Sequence, residues 1–426
     1  MYGSPQEPER RLSARRKRVQ KQFRKSFQRR LFECLEPRQL LATFNPSASA
    51  FDGDPGSLRA AIIQSNSNTE DDTILLEAGT YSVDTPNFVS GGPENAALEG
   101  DLDITEANLS VTIQGQGPDL TFIDANQVDR VLHAHPNTIV VLQDLTITGG
   151  LASDDGADAT GDTRGGGILS ENATLTLINV RVDGNVVEGK DGTLVSPDAF
   201  IAAGGGIFVD GGSLLLSAGS VVSNNTAIGG FGARGADADG VNNADGGRGG
   251  IVHGGGIAAT SMITILNSSI VGNSAFGGFA GDGGDSTAAT AGGDGGTGGS
   301  AHGGGLFLHD GVIRNSLIAN NVARGGPGGF GGDGSSDPTG GSDGGNGGAG
   351  GLATGGGLHS NGNLQIVNAT FSSNVIDGGR GGFGGYGGAG DPGISAGGNG
   401  GQGGNGGDAE GGAVGWSDCE LTFRDV

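Results

Sequence analysis

Gly-Gly-Gly followed directly by Ile or Leu begins at Gly165, Gly204, Gly254, Gly303 and Gly355, and a degenerate Gly-Gly-Ala-Val begins at Gly411. After each full copy comes a short apolar stretch and then an Asn, namely Asn185, Asn225, Asn273, Asn321 and Asn374. Self-similarity at this period marks a stacked repeat array and outranks every other local signal. From the first Gly to two residues past the Asn, the units run 165–187, 204–227, 254–275, 303–323 and 355–376, lengths of 21 to 24 residues. The segments between them lengthen from 14 to 34 residues toward the C-terminus. A constant unit with a variable spacer at one point describes one rigid element with an insert at a single corner.

The units read as strand. Ile263-Thr264-Ile265-Leu266-Asn267-Ser268-Ser269-Ile270 is β-branched and apolar and is bounded by Gly and Asn. Two or three such strands in about 22 residues fit one turn of a parallel β-helix, with turns stacked at ~4.8 Å. Two side-chain columns follow. Three residues before the unit Asn stand Val182, Val222, Ile270, Ile318 and Phe371, an expected core column. Six before it stand Asn179, Gly219, Asn267, Asn315 and Asn368. The Asn columns are expected at turns, where Asn tolerates left-handed backbone and its amide can bond the amide one turn above.

The GGG-[IL] marks and the segments NSSIVGN, NSLIANN and NATFSSN resemble the GGA[IL] and FxxN repeats of polymorphic outer-membrane proteins, bacterial surface proteins with a β-helical passenger. Phe371-Ser372-Ser373-Asn374 matches FxxN as it stands; the other units carry Val or Ile in place of Phe. The resemblance covers about 165–426 and implies surface display and adhesion.

Residues 46–150 have another texture. Ser57 precedes Leu58-Arg59-Ala60-Ala61-Ile62-Ile63-Gln64, an expected capped helix. Short strand patterns follow through Thr148. The order GSLRAAI, DTILLEAGTYSV, LDIT, LSVTIQGQG, TFIDAN, DRVLHA, LQDLTITGG resembles the N-terminal region of bacterial pectin-lyase-like β-helix proteins. That resemblance implies a helix capping the first coil, and a bare first turn would otherwise be an aggregation template. The expected fold is therefore all-β: a right-handed single-stranded parallel β-helix with a short N-terminal capping helix and Gly-rich inserts at one corner. Apolar residues make up 34% of the chain, enough for such a core, while no long amphipathic helical pattern follows residue 67 to support an α/β globule. Three segments result: 1–45, 46–150 and 151–426.

Charge separates the first segment from the rest. Residues 1–45 hold 12 Lys/Arg and 4 Asp/Glu, and the remainder holds 11 against 43. An acidic body argues against nucleic acid as partner and suits solubility in an open medium. The basic head is open to two readings, an anionic-surface patch or the positive part of an export segment. Phe32-Glu33-Cys34-Leu35-Glu36-Pro37-Arg38-Gln39-Leu40-Leu41-Ala42 is too short and too charged to span a bilayer. It resembles the LEPR-XLL segment of large bacterial surface and extracellular proteins, which implies an extracellular, cell-surface or outer-membrane destination. Only Cys34 and Cys419 are present, so no disulfide framework is expected. Leu421–Val426 aligns with 175–180, so the sequence stops partway through a sixth unit, as a fragment or as a frayed last coil.

The inserts carry Gly-Gly-x triplets, as in Gly378-Gly379-Arg380-Gly381-Gly382-Phe383-Gly384-Gly385-Tyr386. In an extended helix of three residues per turn, Gly lines two edges and the third bears side chains, so neighbouring inserts can stack. The other reading is flexible linker, because Gly is costly to order. Calcium is a candidate cation on Gly328–Asp333 and Gly403–Asp408, two non-tandem Gly-Gly-x-Gly-x-Asp matches in a chain with 93 Gly among 426 residues. His253 and His302 each precede a Gly-Gly-Gly and would lie ~5 Å apart on adjacent coils. Their column also holds Arg164, Ala203, Thr354 and Glu410, which favours surface stacking over a metal pair. Asp101, Asp103, Asp124, Asp129 and Arg130 form the carboxylate-rich patch nearest regular structure. Two function classes stand: a non-enzymatic structural or adhesive β-helix that meets extracellular glycans, and a polysaccharide lyase or hydrolase. No catalytic, cofactor or metal residue is assigned.

Overall fold

Strands form where β-branched and apolar residues alternate between Gly and Asn turns. The computed structural model of the chain describes residues 41–85, 96–153, 161–237, 244–287, 290–417 and 421–424. The basic head and the LEPR-XLL segment up to Leu40 lie outside the described residues. Its last residues, Leu41 and Ala42, open the first strand, Leu41–Phe44, which pairs with Asp71–Leu75.

One coil serves for all. Ala202–Ala203 leads through Gly204–Gly206 into Ile207–Asp210, then Ser213–Ser217, Val221–Ser223 and Thr226–Ile228. The insert 229–251 follows, and Val252–His253 begins the next coil. Pairing is parallel from coil to coil, in register. The inward columns are therefore unbroken: Ile168, Ile207, Ile257, Leu306 and Leu358 on one strand, and Leu177, Leu216, Ile265, Ile313 and Ile366 on another. These side chains are fully buried in one core. The expected column Val182, Val222, Ile270 and Ile318 is buried with them, and Phe371 packs against it half-buried. The fold is a right-handed single-stranded parallel β-helix. No helix among the described residues is long and apolar enough to cross a membrane.

The Gly-Gly-Gly mark and the Asn belong to one device. The first Gly takes a left-handed φ, +64° at Gly165 and +67° at Gly204, which a Cβ would strain. The third Gly lies on the Asn of its own unit: a Cβ on Gly167 would stand 2.9 Å from Asn185 Cγ, and one on Gly256 2.9 Å from Asn273 Cγ. The Asn amides then bond in a column. Asn185 Nδ2 donates to Asn225 Oδ1 at 2.9 Å, and the chain continues to Asn273, Asn321 and Asn374 at 3.0 Å each. Each Oδ1 also accepts the backbone N–H of the preceding coil's Asn. These Asn are not themselves left-handed. That conformation falls on the residue before, as at Asn224, Gly272, Asn320 and Ser373, and on the outer column of half-buried Asn179 and exposed Gly219, Asn267, Asn315 and Asn368.

The helix Leu58–Ser65 has Ser57 as its N-cap, with Oγ accepting the Ala60 N–H at 3.1 Å. Leu58, Ala61 and Ile62 enter the core. Arg59 is buried, ion-paired to Asp52 at 2.9 Å, and donates to the carbonyls of Ala97, Gly100 and Asp101. Asn66 bonds both ways to Leu102–Ile104 and its neighbour, through Asp103 O and the Thr105 N–H. Helix and Asn66 thus cover an edge strand, as a cap must.

Candidate functional site

Two features rise above the coil itself: the inserts and a buried ion cluster near the capped end. The inserts leave between Thr226–Ile228-type and Val252–His253-type strands, through a neck of small residues that includes Ala202, Ala227, Ala275, Ala301 and Ala323. Beyond the neck each runs out and back as two extended legs. The triplet Gly328-Gly329-Phe330 accounts for all three of its amides. Gly328 N donates to Arg380 O at 2.8 Å, Gly329 N to Gly296 O at 3.0 Å, and Phe330 N to Asp282 Oδ1 at 2.8 Å. The next triplet repeats this, with Asp333 N donating to Asp285 Oδ1. Of the two open readings for the inserts, the stacked one holds: the legs form a hydrogen-bonded wing. Gly is required at two places in three because a Cβ on Gly381 or Gly382 would collide with the carbonyls of Gly404 and Gly329.

Sequence reasoning misses the role of the acids. Asp at the third position offers an oxygen to the third-position N–H of the next insert. Asp237, Asp285 and Asp333 form one such ladder, ending on the Tyr386 N–H. On the return legs Asp245, Asp294 and Asn346 form another, ending on Gln402. Asp333, the end of one Gly-Gly-x-Gly-x-Asp match, is thus engaged in the stack.

The third positions of the outgoing legs face solvent and carry aromatics. Phe231, Phe279, Phe330, Phe383 and Tyr386 are 49 to 80% exposed. Phe231 and Phe279 lie edge to face at 5.4 Å, and Phe330 and Phe383 stack at 5.7 Å. The Asp ladder runs beside them. Near the neck the row ends in a depression of about 390 Å³ lined by Glu188, Lys190, Asp191 and Phe231.

The second feature gathers part of the sequence-predicted acidic patch. Leu102–Ile104, Leu132–Ala134 and Ile168–Glu171 are consecutive paired strands, with Asp103 opposite His133. Arg130 Nε lies 3.0 Å from Asp101 Oδ2, both buried. His135 Nε2 lies 2.6 Å and His133 Nδ1 3.5 Å from Asp103 Oδ1. His133 Nε2 lies 3.1 Å from Glu171 Oε2. Burial opposes charge on His133, but the bonds to Asp103 and Glu171 prevail and push it up to about 9. Burial likewise raises the Asp103 carboxyl, yet the two imidazoles hold it below its usual range. Asp124 stands on another sheet, in Thr121–Asp124, and bonds the Asn126 N–H. Asp129 accepts the Arg130 N–H. The sequence patch therefore divides, and His133, His135 and Glu171 join it from adjacent coils. The signal for them was His-x-His opposite Asp103, visible only with the coil register in hand.

His253 and His302 do stack, with centroids 5.5 Å apart. The stacking is as expected, but the two rings are half-buried rather than fully at the surface, because the next column, Phe307 and His359, lies over them: Phe307 lies 4.2 Å from His253. Burial drives His253 down to about 3 and His359 to about 4. Thr354 Oγ1 lies 2.8 Å from both His302 Nδ1 and His359 Nδ1.

No protein-family model matches the sequence, and no curated protein matches it. Among solved structures, the chain is similar to the A-module of Azotobacter vinelandii mannuronan C-5 epimerase AlgE6, at 13% identity and TM-score 0.22, over 89% of this chain and 99% of that one. A mannuronic-acid-specific family 6 polysaccharide lyase from human gut microbiota is similar at 10% identity and TM-score 0.17, over 80% of this chain and 76% of that one. The A-module of the same bacterium's epimerase AlgE4 follows at 12% identity and TM-score 0.16, over 76% and 93%. Overlaps this loose carry no residue role across to this chain.

Proposed function

We propose that this chain is a displayed, adhesive β-helix that holds neutral polysaccharide on the aromatic face of its wing. The observation that carries the reading is the row of five exposed aromatics, at least one from each of four successive inserts, on a backbone fixed by its own hydrogen bonds. Aromatic faces take the apolar C–H faces of sugar rings, and the adjoining Asp oxygens accept sugar hydroxyls. Residues 46–426 carry 43 acids against 11 bases, which repels polyanions and selects uncharged glycans. The LEPR-XLL resemblance supports a surface or extracellular location. The test is affinity electrophoresis through gels containing neutral hexose polymers or polyuronate. The wild-type chain is expected to be retarded by a neutral polymer. A variant with Ser at 231, 279, 330, 383 and 386 is expected to lose that retardation at least about tenfold with an unchanged circular dichroism spectrum. Equal mobility of the two proteins in every gel refutes the reading.

The alternative, a polysaccharide-degrading enzyme, draws on the Asp103, His133, His135 and Glu171 cluster with its shifted protonation. Arg130 and His133 are 2% exposed, so a substrate meets only the His135 and Glu171 side of it. Release of reducing ends or unsaturated products from a glycan panel is the result that favours it.

A further inference from the structure

We propose that Asp103, His133 and His135 form a binding site for one divalent transition-metal ion with nitrogen and oxygen preference, zinc being the type. This stands independently of the wing. The three ligand atoms, one from each side chain, lie within 4.8 Å of one another. Both imidazoles turn a ring nitrogen toward the same carboxylate oxygen, Asp103 Oδ1, and the rings pack side by side with centroids 3.8 Å apart. Two imidazoles and one carboxylate with a fourth position free is a donor set zinc accepts.

The surroundings are those of a metal site rather than of an ordinary ion pair. Glu171 lies 3.1 Å from His133 Nε2 and accepts that N–H, so the nitrogen facing Asp103, Nδ1, is the one an ion would coordinate on displacing its proton. A carboxylate behind a ligand imidazole is the usual outer partner of a metal-bound His. The other Asp103 oxygen is occupied by the Ala97 N–H at 3.0 Å, which fixes the carboxylate and leaves Oδ1 to coordinate. Ligands and outer partner come from three successive strands of a rigid stack, Leu102–Ile104, Leu132–Ala134 with the adjoining His135, and Ile168–Glu171, so their spacing is set by the fold. Charge points the same way. Arg130 is engaged by Asp101, while Asp103 and Glu171 bond the two imidazoles, with Arg164 acting on Glu171 from further off. The positive charge that His133 supplies between Asp103 and Glu171 is one a divalent ion would replace as it displaces the ring proton. The side chain of His135 is 15% exposed and that of Glu171 25%, which gives an ion a way in.

The probes are zinc in calorimetry and cobalt in visible absorption, added to chelator-treated full-length protein. Wild type is expected to bind one equivalent and, with cobalt, to show the d–d bands of a low-coordinate nitrogen and oxygen site. His135→Gln is expected to lose the bands. Glu171→Gln, which touches no ion, is expected to weaken binding about 10–100-fold. His302→Ala is expected to bind as wild type does, since the second His group is no part of the site. Absence of a stoichiometric site in wild type overturns the proposal, as does binding in Glu171→Gln and His135→Gln equal to wild type. If His135→Gln fails to fold, the half-buried Glu171 variant and the wild-type stoichiometry still decide.

Discussion

Replacing Asn273 by Leu tests the spine of the solenoid. The side chain is fully buried and makes four bonds: Nδ2 donates to Asn321 Oδ1 and to Val222 O, and Oδ1 accepts from Asn225 N and Asn225 Nδ2, all at 3.0 to 3.1 Å. Leu matches the branched shape of Asn, so the Gly256 contact is largely kept and the loss is polar. Asn225 Nδ2 retains Val182 O, and Asn321 Oδ1 retains the backbone N–H of residue 273. The Asn225 N–H and one proton of its amide are left buried and unpartnered. At ~1–3 kcal/mol for each stranded group, offset in part by the apolar gain of Leu, the net cost is about 2–4 kcal/mol. Because each coil contacts only its neighbours, the loss falls on the interfaces either side of residue 273. Urea denaturation followed by circular dichroism measures it. The control is Asn315→Gly, an exposed left-handed Asn at φ +50° where Gly is at ease, expected within about 0.5 kcal/mol of wild type. A change of less than about 0.5 kcal/mol for Asn273→Leu refutes the ladder argument.

Gly382→Ala places a methyl against the backbone of Gly329, whereas Gly403→Ala meets its nearest atom, Gly382 O in the preceding leg, only at an ordinary contact distance of 3.6 Å. Limited trypsin digestion at Arg380 is therefore expected to speed up at least about tenfold in the first variant, an opening of about 1.4 kcal/mol, and to stay unchanged in the second. Acid is expected to destabilise the β-helix through its half-buried and buried neutral histidines. His253 and His359 have folded values of about 3 and about 4 against an unfolded value near 6.5, so the stability they hold is full above about pH 6.5 and is lost as pH falls toward 3. For the buried His359 this is at most roughly 3 kcal/mol, and His359→Phe is expected to flatten the acid limb of melting temperature against pH.

The coil was legible because its determinants are local and repeated. Gly-Gly-Gly 18 to 21 residues ahead of each Asn marks both the register and the contact between Gly256 and Asn273, and apolar alternation locates the core column at Val222 and Ile270. The period-three Gly runs indicate the geometry of the wing, but whether they order depends on partners some 50 residues away, such as Phe330 N on Asp282. The acids looked like solvated charge for the same reason: Asp285 acts on residue 333, and nothing near it in sequence says so. The ion cluster was half visible. Asp101, Asp103 and Arg130 lie close in sequence, but His133 meets Glu171 only through the parallel register, 38 positions on. The partial covering of His253 depended likewise on Phe307, one coil later.

Hydrogen exchange of the inserts, resolved by peptide, tests the wing most directly. From Gly325 to Gly334 every amide has an acceptor, Pro327 having none to give. In the leg 398–407 Gly398, Gly401, Gly404 and Gly407 donate to backbone carbonyls, while Gly400, Gly403 and Gly406 meet no later insert among the described residues. The expected result is slow exchange across 325–334, comparable with the strand Leu306–Arg314, and only partial protection across 398–407. Exchange of both segments at the rate of an unstructured Gly-rich chain contradicts the wing and, with it, the binding face proposed on it.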